Sequence, residues 1–307
     1  MKKGDTYENY FCSSPLNEKK VDESYEQEYI CAKEFGFELG LVHLEELIVN
    51  QRPDLAVRRL KKATEREDVL YRGWMLRPEE YELLYEALES KNLYLINTPE
   101  QYKHCHYLPE SYDVIKGYTP RSVWVPMSDI QASPDAVKEA ARQFGNQPII
   151  VKDYVKSRKH EWKEACYIPD AADEEHMKQI VHNFVTLQGE ELNAGLVFRE
   201  YVQLEFLSYH DQSGMPLSRE MRVFMMDGKP AYISNYWDDG QDEAFKEAFI
   251  SFLDIAQSIQ SRFFTMDFAK MEGGSWIILE LGDGQVAGLP DYADPLTFYK
   301  QLKRALV

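Results

Sequence analysis

Four groups of residues in the second half of the sequence have the types and spacing to do chemistry. Lys152 ends the apolar run "PIIV" and is followed by Lys156, Ser157 and Lys159. One lysine fixed on a strand beside a cationic loop suits a polyphosphate: a rigid point charge, and a flap to neutralise the rest. Taken alone, a solvated basic loop reads the same. In "FREYV", Glu200, Tyr201 and Val202 close a strand. Such a segment can offer backbone donors and acceptors to an adenine edge, with the glutamate accepting from an exocyclic amine; an exposed strand-end glutamate is the plainer reading. Glu220 and Arg222 lie two apart in "REMRVFMMDGK", so on a strand they share a face. They are either an ion-pair arrangement or a ribose contact (Glu220) beside a phosphate or carboxylate contact (Arg222), which guanidinium geometry suits. Asp267, Glu280 and Asp283 come from two strands joined at Gly273-Gly274. Acids brought together this way repel one another unless a hard cation sits between them, and oxygen ligands beside a polyphosphate favour Mg²⁺.

The stretch "WIILELGDGQVAGL" sharpens that reading. A turn needs only glycines. Two carboxylates on it suggest that the glycines let a metal-bound triphosphate approach the backbone. Further back, Arg72 lies within the apolar "LYRGWML", where an unpaired cation is costly. Its partner is structural or a substrate carboxylate. Arg121, after Pro120 at a strand start, is a second candidate for a substrate carboxylate. In "KHCHY", an extended segment would put His104 and His106 on one side, but nothing nearby completes a zinc site.

These residues need a scaffold, and length and charge bound it. The 307 residues suffice for two domains, and the net charge of −17 argues against a general nucleic-acid binder, whose affinity rests on phosphate neutralisation. A small anionic ligand needs only a few local cations. The four cysteines form no C-x-x-C pair, as expected of reduced thiols. No apolar run is long enough to span a bilayer, and "MKKGDTYENY" lacks the apolar middle of a signal peptide, so a cytoplasmic protein with no membrane partner is expected.

The first hundred residues alternate strand-like and helix-like segments: "TYENYFC", a helix over 22–36 closed by Gly36, "FELGLVHL", "DVLYRGWML", a helix over 77–91 with Pro78 in its first turn, then "NLYLIN". This favours a largely parallel α/β sheet. No G-x-G-x-x-G follows the first strand, so NAD is not expected. From about residue 110 the rhythm changes. Strands are expected at "SVWVP", "QPIIVKDYV" and "GLVFREYV", and two hairpins follow, one turning at Asp227-Gly228. Helices are expected at 133–145 with Ser133 as cap and Pro134 next, at 173–187, as one long segment at 242–261, and at 294–306 capped by Asp294.

The order of a strand lysine, cationic flap, Glu-x-Val linker, Glu-x-Arg strand, and Asp and Glu on a hairpin resembles the ATP-grasp superfamily. With "YRGWML", "TPRSVW", "VKDYVKSRKHEW" and "ELGDGQVAGL", the chain is most similar to a bacterial and phage-associated clade of it. The resemblance implies an α/β fold, α+β towards the C-terminus: a Rossmann-like domain over 1–110, then an ATP-grasp domain over 111–307 with subdomains at about 111–198 and 199–307. It implies ATP and Mg²⁺ as cofactors. Lys152, Lys156, Ser157, Glu200, Tyr201, Val202 and Glu220 would bind ATP. Arg222 and Lys156 would act on the transferring phosphate, Asp267 and Glu280 would hold the metal, and Arg72 and Arg121 would meet substrate. One position departs: the usual Glu-x-Asn ending has Gly282 in third place, so that either Asp283 substitutes as ligand or a second metal is held differently.

Three functions follow as expectations. The first is a ligase that activates a carboxylate as an acyl phosphate and joins it to an amine or related nucleophile, with small-molecule or peptide substrates. The second is a small-molecule kinase on the same scaffold. The third is a nucleotide-binding module without turnover, for which Gly282 is the argument.

Overall fold

In the computed structural model, which describes residues 7–133, 135–209, 215–237 and 243–307, the alternation at the start of the chain becomes a sheet. β1 (Glu8–Ser14) turns back into antiparallel β2 (Asn17–Val21); β3 (Glu38–Val42), β4 (Glu67–Arg72) and β5 (Leu93–Leu95) then run parallel to β1 in the order β3-β1-β4-β5. Both faces of its central strands β1 and β4 are buried, which is why "YFC" and "VLY" read as short apolar runs rather than alternating ones. Tyr10, Val69 and Tyr71 pack with Tyr81, Leu84 and Leu88 of the helix Pro78–Glu89. Phe11 and Leu70 pack with Ala32 of the helix Glu26–Glu34 and with Phe298, Tyr299 and Leu302 of the helix Pro295–Ala305. Asp294 caps that last helix by accepting from the Leu296 and Thr297 amides.

The chain forms two compact units, and neither is contiguous in sequence. One contains Met1–Cys105, Arg222–Met266 and Leu281–Val307; the other contains His106–Met221 and Asp267–Glu280. In the second unit, β6 (Ser122–Pro126), β7 (Ile149–Asp153), β8 (Tyr167–Ile168) and β9 (Gly195–Glu200) make an antiparallel sheet of order β6-β9-β7-β8. One face carries Ile149, Val151 and Phe198 against Met177, Ile180 and Phe184 of the helix Glu174–Gln188. Alternation along β7 and β9 therefore sends Ile150, Lys152, Val197 and Arg199 to the opposite face. β10 (Phe206–Tyr209) and β11 (Pro216–Ser218) pair by themselves. The remaining strands, β12 (Glu220–Met226), β13 (Lys229–Asn235), β14 (Phe263–Lys270) and β15 (Trp276–Asp283), take the order β13-β12-β14-β15. Asp227 and Gly228 both have positive φ, as the two-residue hairpin turn requires.

Several elements differ from expectation. "KHCHY" is helical, not extended: Pro99–His106 is a helix, so His104 and His106 diverge by about 200°. Its start was encoded in "TPEQ", where the Gln101 amide donates to Thr98 Oγ1 and the Thr98 amide to Gln101 Oε1. The helix expected from Ser133 begins at Ala136; Ser133 ends the preceding helix Met127–Ala132, and Pro134 lies outside the described residues. The long helix expected over 242–261 is two, Glu243–Phe249 and Leu253–Ser258, separated by one tighter turn. Residue 242 lies outside the described residues. Among those described, no helix is long and apolar enough to cross a membrane.

Candidate active site

Lys152 sits one residue from the end of β7, on the face turned away from the helix Glu174–Gln188. Its side chain is only 7% exposed, and its ammonium donates to Glu280 Oε1 at 2.5 Å. Glu280, on β15, is 39% exposed. Burial pushes its carboxyl upward, but Lys152, with Lys159 and Arg199 behind it, outweighs this and holds the carboxyl below its ordinary range. β14 and β15 are hydrogen-bonded neighbours, so Asp267 and Glu280 stand on adjacent strands. The cation that meets Glu280 is a lysine of the chain itself.

Arg199 was missed, because a residue inside "LVFREYV" read as strand core. It is buried, its Nη1 donates to the Leu279 carbonyl at 2.5 Å, and its Nη2 bonds to Thr119 Oγ1 and to the Ile278 carbonyl. Burial pushes its guanidinium down to about 10, with Glu280 opposing that shift. Arg199 therefore grips the backbone immediately before Glu280. His106 is a second miss. Burial pushes its imidazole down to about 4, against the pull of nearby Glu280 and with Lys156 and Lys152 adding to the depression.

The basic stretch after β7 is not a set of cations repelling one another. Lys156 meets Glu191 at 3.4 Å, and Arg158 makes a two-pronged contact with Glu161 at 3.1 and 3.0 Å. At its far end Trp162 stacks on Tyr167, whose ring meets Tyr201 edge-on at 5.0 Å. Tyr201 belongs to the Glu200–Val202 linker, which has backbone capacity to spare. The Glu200 amide donates to the Arg121 carbonyl and the Tyr201 amide to the Pro148 carbonyl. Pro148 has no N–H to return to the Tyr201 carbonyl, and among the described residues neither that carbonyl nor the Val202 amide makes a backbone hydrogen bond.

The other expected residues divide. Glu220 accepts from Ser218 Oγ at 2.6 Å. Arg121 is exposed, with its guanidinium 5.0 Å above the Phe144 ring. In the first unit, Arg222 donates to the Gly288 carbonyl at 2.7 Å and lies 4.8 Å over Tyr236. Arg72, expected to meet a substrate carboxylate, does not. It is fully buried and makes a two-pronged pair with Glu28 at 2.9 Å, which also accepts from Tyr299. Its remaining donors hold the Gly284 and Ala287 carbonyls. Its anion is structural.

Asp283 is likewise a correction. It is wholly buried in the first unit, where its carboxylate accepts from Asn97 Nδ2 at 2.5 Å, the Gln285 amide at 2.9 Å and Gln285 Nε2 at 3.3 Å. Burial pushes it up to about 7 despite those donors. It is a packing hub and not a stand-in metal ligand. Among the described residues no three His, Cys, Asp or Glu side chains gather to hold a metal. The glycines around it answer to packing too. A Cβ on Gly282 would fall 2.8 Å from Thr265 Oγ1, and one on Gly284 2.8 Å from the Phe263 ring. A side chain at 282 would therefore require buried Thr265 to shift.

This geometry agrees with what comparison with known proteins finds. The family profile described as ATP-grasp domain, R2K clade family 3, matches residues 143–302, just over half of the chain. The chain belongs to that ATP-grasp family. Its fold is similar to that of D-cycloserine synthetase DcsG, at a TM-score of 0.60 and 13% identity, over 98% of this chain and 100% of that one. It is also similar to an ATP-grasp RimK domain protein from Sphaerobacter thermophilus, with a TM-score of 0.58 at 9% identity, over 97% and 99% of the two chains. A third similar structure is the ATP-grasp ligase PsnB complexed with a minimal precursor, Mg and ADP, with a TM-score of 0.53 at 12% identity over 97% and 98%. No curated protein matches the chain by sequence. The ATP-grasp fold thus extends over residues that the family profile does not cover.

Proposed function

We propose that this ATP-grasp chain is an ATP-dependent ligase that forms an acyl phosphate and transfers the acyl group to an amine or related nucleophile. The observation that carries it is the buried Lys152 ammonium against Glu280, with Asp267 on the neighbouring strand β14. Two carboxylates on adjacent strands fit Mg²⁺, which takes one or two carboxylates beside phosphate oxygens and waters. Asp267 and Glu280 would hold it, and when bound it neutralises charge on the phosphate oxygens. Use of ATP and Mg²⁺ is consistent with PsnB, similar in fold, whose structure is of a complex with a minimal precursor, Mg and ADP.

The chain's own residues supply the rest. The Val202 amide and the backbone carbonyls of the linker meet the adenine edge, with Glu200 towards the exocyclic amine, while Glu220 accepts from a ribose hydroxyl. Lys152 leaves Glu280 for phosphate, Lys156 and Ser157 close over it, and Arg222 stabilises charge on the transferring phosphoryl group. A substrate carboxylate oxygen then attacks the γ-phosphorus, and the bond to the β-phosphate oxygen breaks to release ADP. The amine attacks the acyl carbon, phosphate leaves, and the nitrogen loses a proton. Arg121 serves the substrate carboxylate. The close packing of Gly282 against Thr265 gives that glycine a structural reason of its own.

The test is to incubate the protein with MgATP and a panel of carboxylates, amines and peptides, reading ADP and product mass together. A condensed product with free phosphate supports the ligase. A stable phosphorylated product points to a kinase, and nucleotide binding without turnover to a regulatory module.

A further inference from the structure

Asp153, next to Lys152, takes no part in the chemistry above, yet its carboxylate accepts five hydrogen bonds. It is completely buried at the end of β7. Its Oδ1 accepts the amides of Val155 at 2.7 Å and Lys156 at 2.5 Å. Its Oδ2 accepts from Gln188 Nε2 at 3.0 Å, the Asn193 amide at 3.1 Å and Asn193 Nδ2 at 3.1 Å. One oxygen thus winds the first turn of the flap, which the Asp153 amide closes by donating to the Lys156 carbonyl at 2.9 Å. The other ties that turn to the end of the helix Glu174–Gln188 and to the segment entering β9. Tyr154 between them is held as well, since its carbonyl accepts from the Leu108 amide. Five donors meet one anion, and each hydrogen bond to a charged acceptor is stronger than a neutral one.

We propose that Asp153 is the positioning residue of the phosphate site, fixing Lys156 relative to Lys152 so that the flap closes from a rigid root. The assignment rests on the nucleotide reading of that site. Its consequence is that the flap has two parts: residues 153–156 are preset, while the movement needed to admit a polyphosphate lies beyond Lys156. The carboxylate cannot be replaced by its amide. In Asp153→Asn one oxygen becomes an NH₂ group facing N–H donors, and either the turn or the helix anchor is lost.

The experiment measures binding of a non-hydrolysable ATP analogue with Mg²⁺ by calorimetry, together with amide exchange over residues 153–163. Asp153→Asn should weaken binding by about tenfold or more and remove protection at Val155 and Lys156. A loss of general stability would weaken binding equally in any background, so the deciding comparison uses Lys156→Met. If Asp153 acts by placing Lys156, then Asp153→Asn added to Lys156→Met should cost less than about threefold more. The same factor in both backgrounds, or unchanged binding by Asp153→Asn, would overturn the assignment. Should Asp153→Asn fail to fold, Gln188→Met removes one donor only. Its smaller loss must vanish in the Lys156→Met background, and persistence there would count against the proposal. A wild-type protein that binds no nucleotide would refute the reading of the site, while exchange at Val155 and Lys156 would still judge Asp153.

Discussion

Replacing Glu280 by glutamine preserves shape and removes the charge that Lys152 meets. From sequence alone the change should relieve repulsion between Asp267 and Glu280, leaving stability without nucleotide level or higher. The structure reverses that sign, because the lysine is 7% exposed and would be stranded. Removing one partner of a fully buried pair costs about 3–5 kcal/mol. Glu280 is 39% exposed, so water screens part of the interaction and the expected loss falls to roughly 1–3 kcal/mol. The assay is urea unfolding of Glu280→Gln, Lys152→Met and the double variant without nucleotide. The double variant should recover most of the loss, since neither member of the Lys152–Glu280 pair is left without the other. The pH dependence gives a second handle. The Glu280 carboxyl is held below its ordinary 4.5 in the folded protein, so the stability it supplies is full above the unfolded value and is lost as pH falls through the folded one. The gap between wild type and Glu280→Gln should therefore close below about pH 4.5. A Glu280→Gln protein as stable as wild type at pH 7 would refute the reasoning.

Other outcomes follow from the same structure. Asp283 is raised to about 7 from 3.8, so the folded state holds a proton that the unfolded chain releases, and its contribution makes stability fall as pH rises between those values. Asp283→Asn should flatten that slope in pH-resolved unfolding and leave nucleotide affinity within about twofold of wild type. Arg72→Met should cost about 3–5 kcal/mol by stranding Glu28, and Arg72→Lys should not restore it, because an ammonium cannot reproduce the two-pronged pair. An Arg72→Met protein that melts normally but loses substrate affinity would return Arg72 to the site. Phosphate-bearing ligand should slow amide exchange most at 157–161 and least at 153–156.

How much of this was legible depended on how local each signal was. β7, β9 and the β14–β15 hairpin announce themselves by apolar runs ended by charged residues or glycines, and so Lys152, Glu200, Asp267 and Glu280 could be picked out by eye. The helix at Pro99–His106 was also local, encoded by Thr98 and Gln101, but a histidine pair drew the reading towards an extended segment. Arg72, Asp153, Arg199 and Asp283 are different. Their roles depend on partners far off in sequence, Glu28 for Arg72, Gln188 and Asn193 for Asp153, Thr119 and Leu279 for Arg199 and Asn97 for Asp283, and no spacing rule encodes these. The glycines of "GDG" misled for the same reason, since Thr265 and Phe263, which crowd them, come from another strand. The interleaved units were hidden because a boundary read from rhythm assumes that the chain crosses once.

The most direct test of the central claim is calorimetric titration of the wild-type protein with a non-hydrolysable ATP analogue, with and without Mg²⁺, and with NAD as control. The account predicts binding of the ATP analogue that is strengthened by Mg²⁺, loses most of that strengthening in Glu280→Gln and in Asp267→Asn, and is weakened in Lys152→Met. Binding of NAD but not of the ATP analogue, or ATP-analogue affinity indifferent to Mg²⁺ and to all three substitutions, would contradict it.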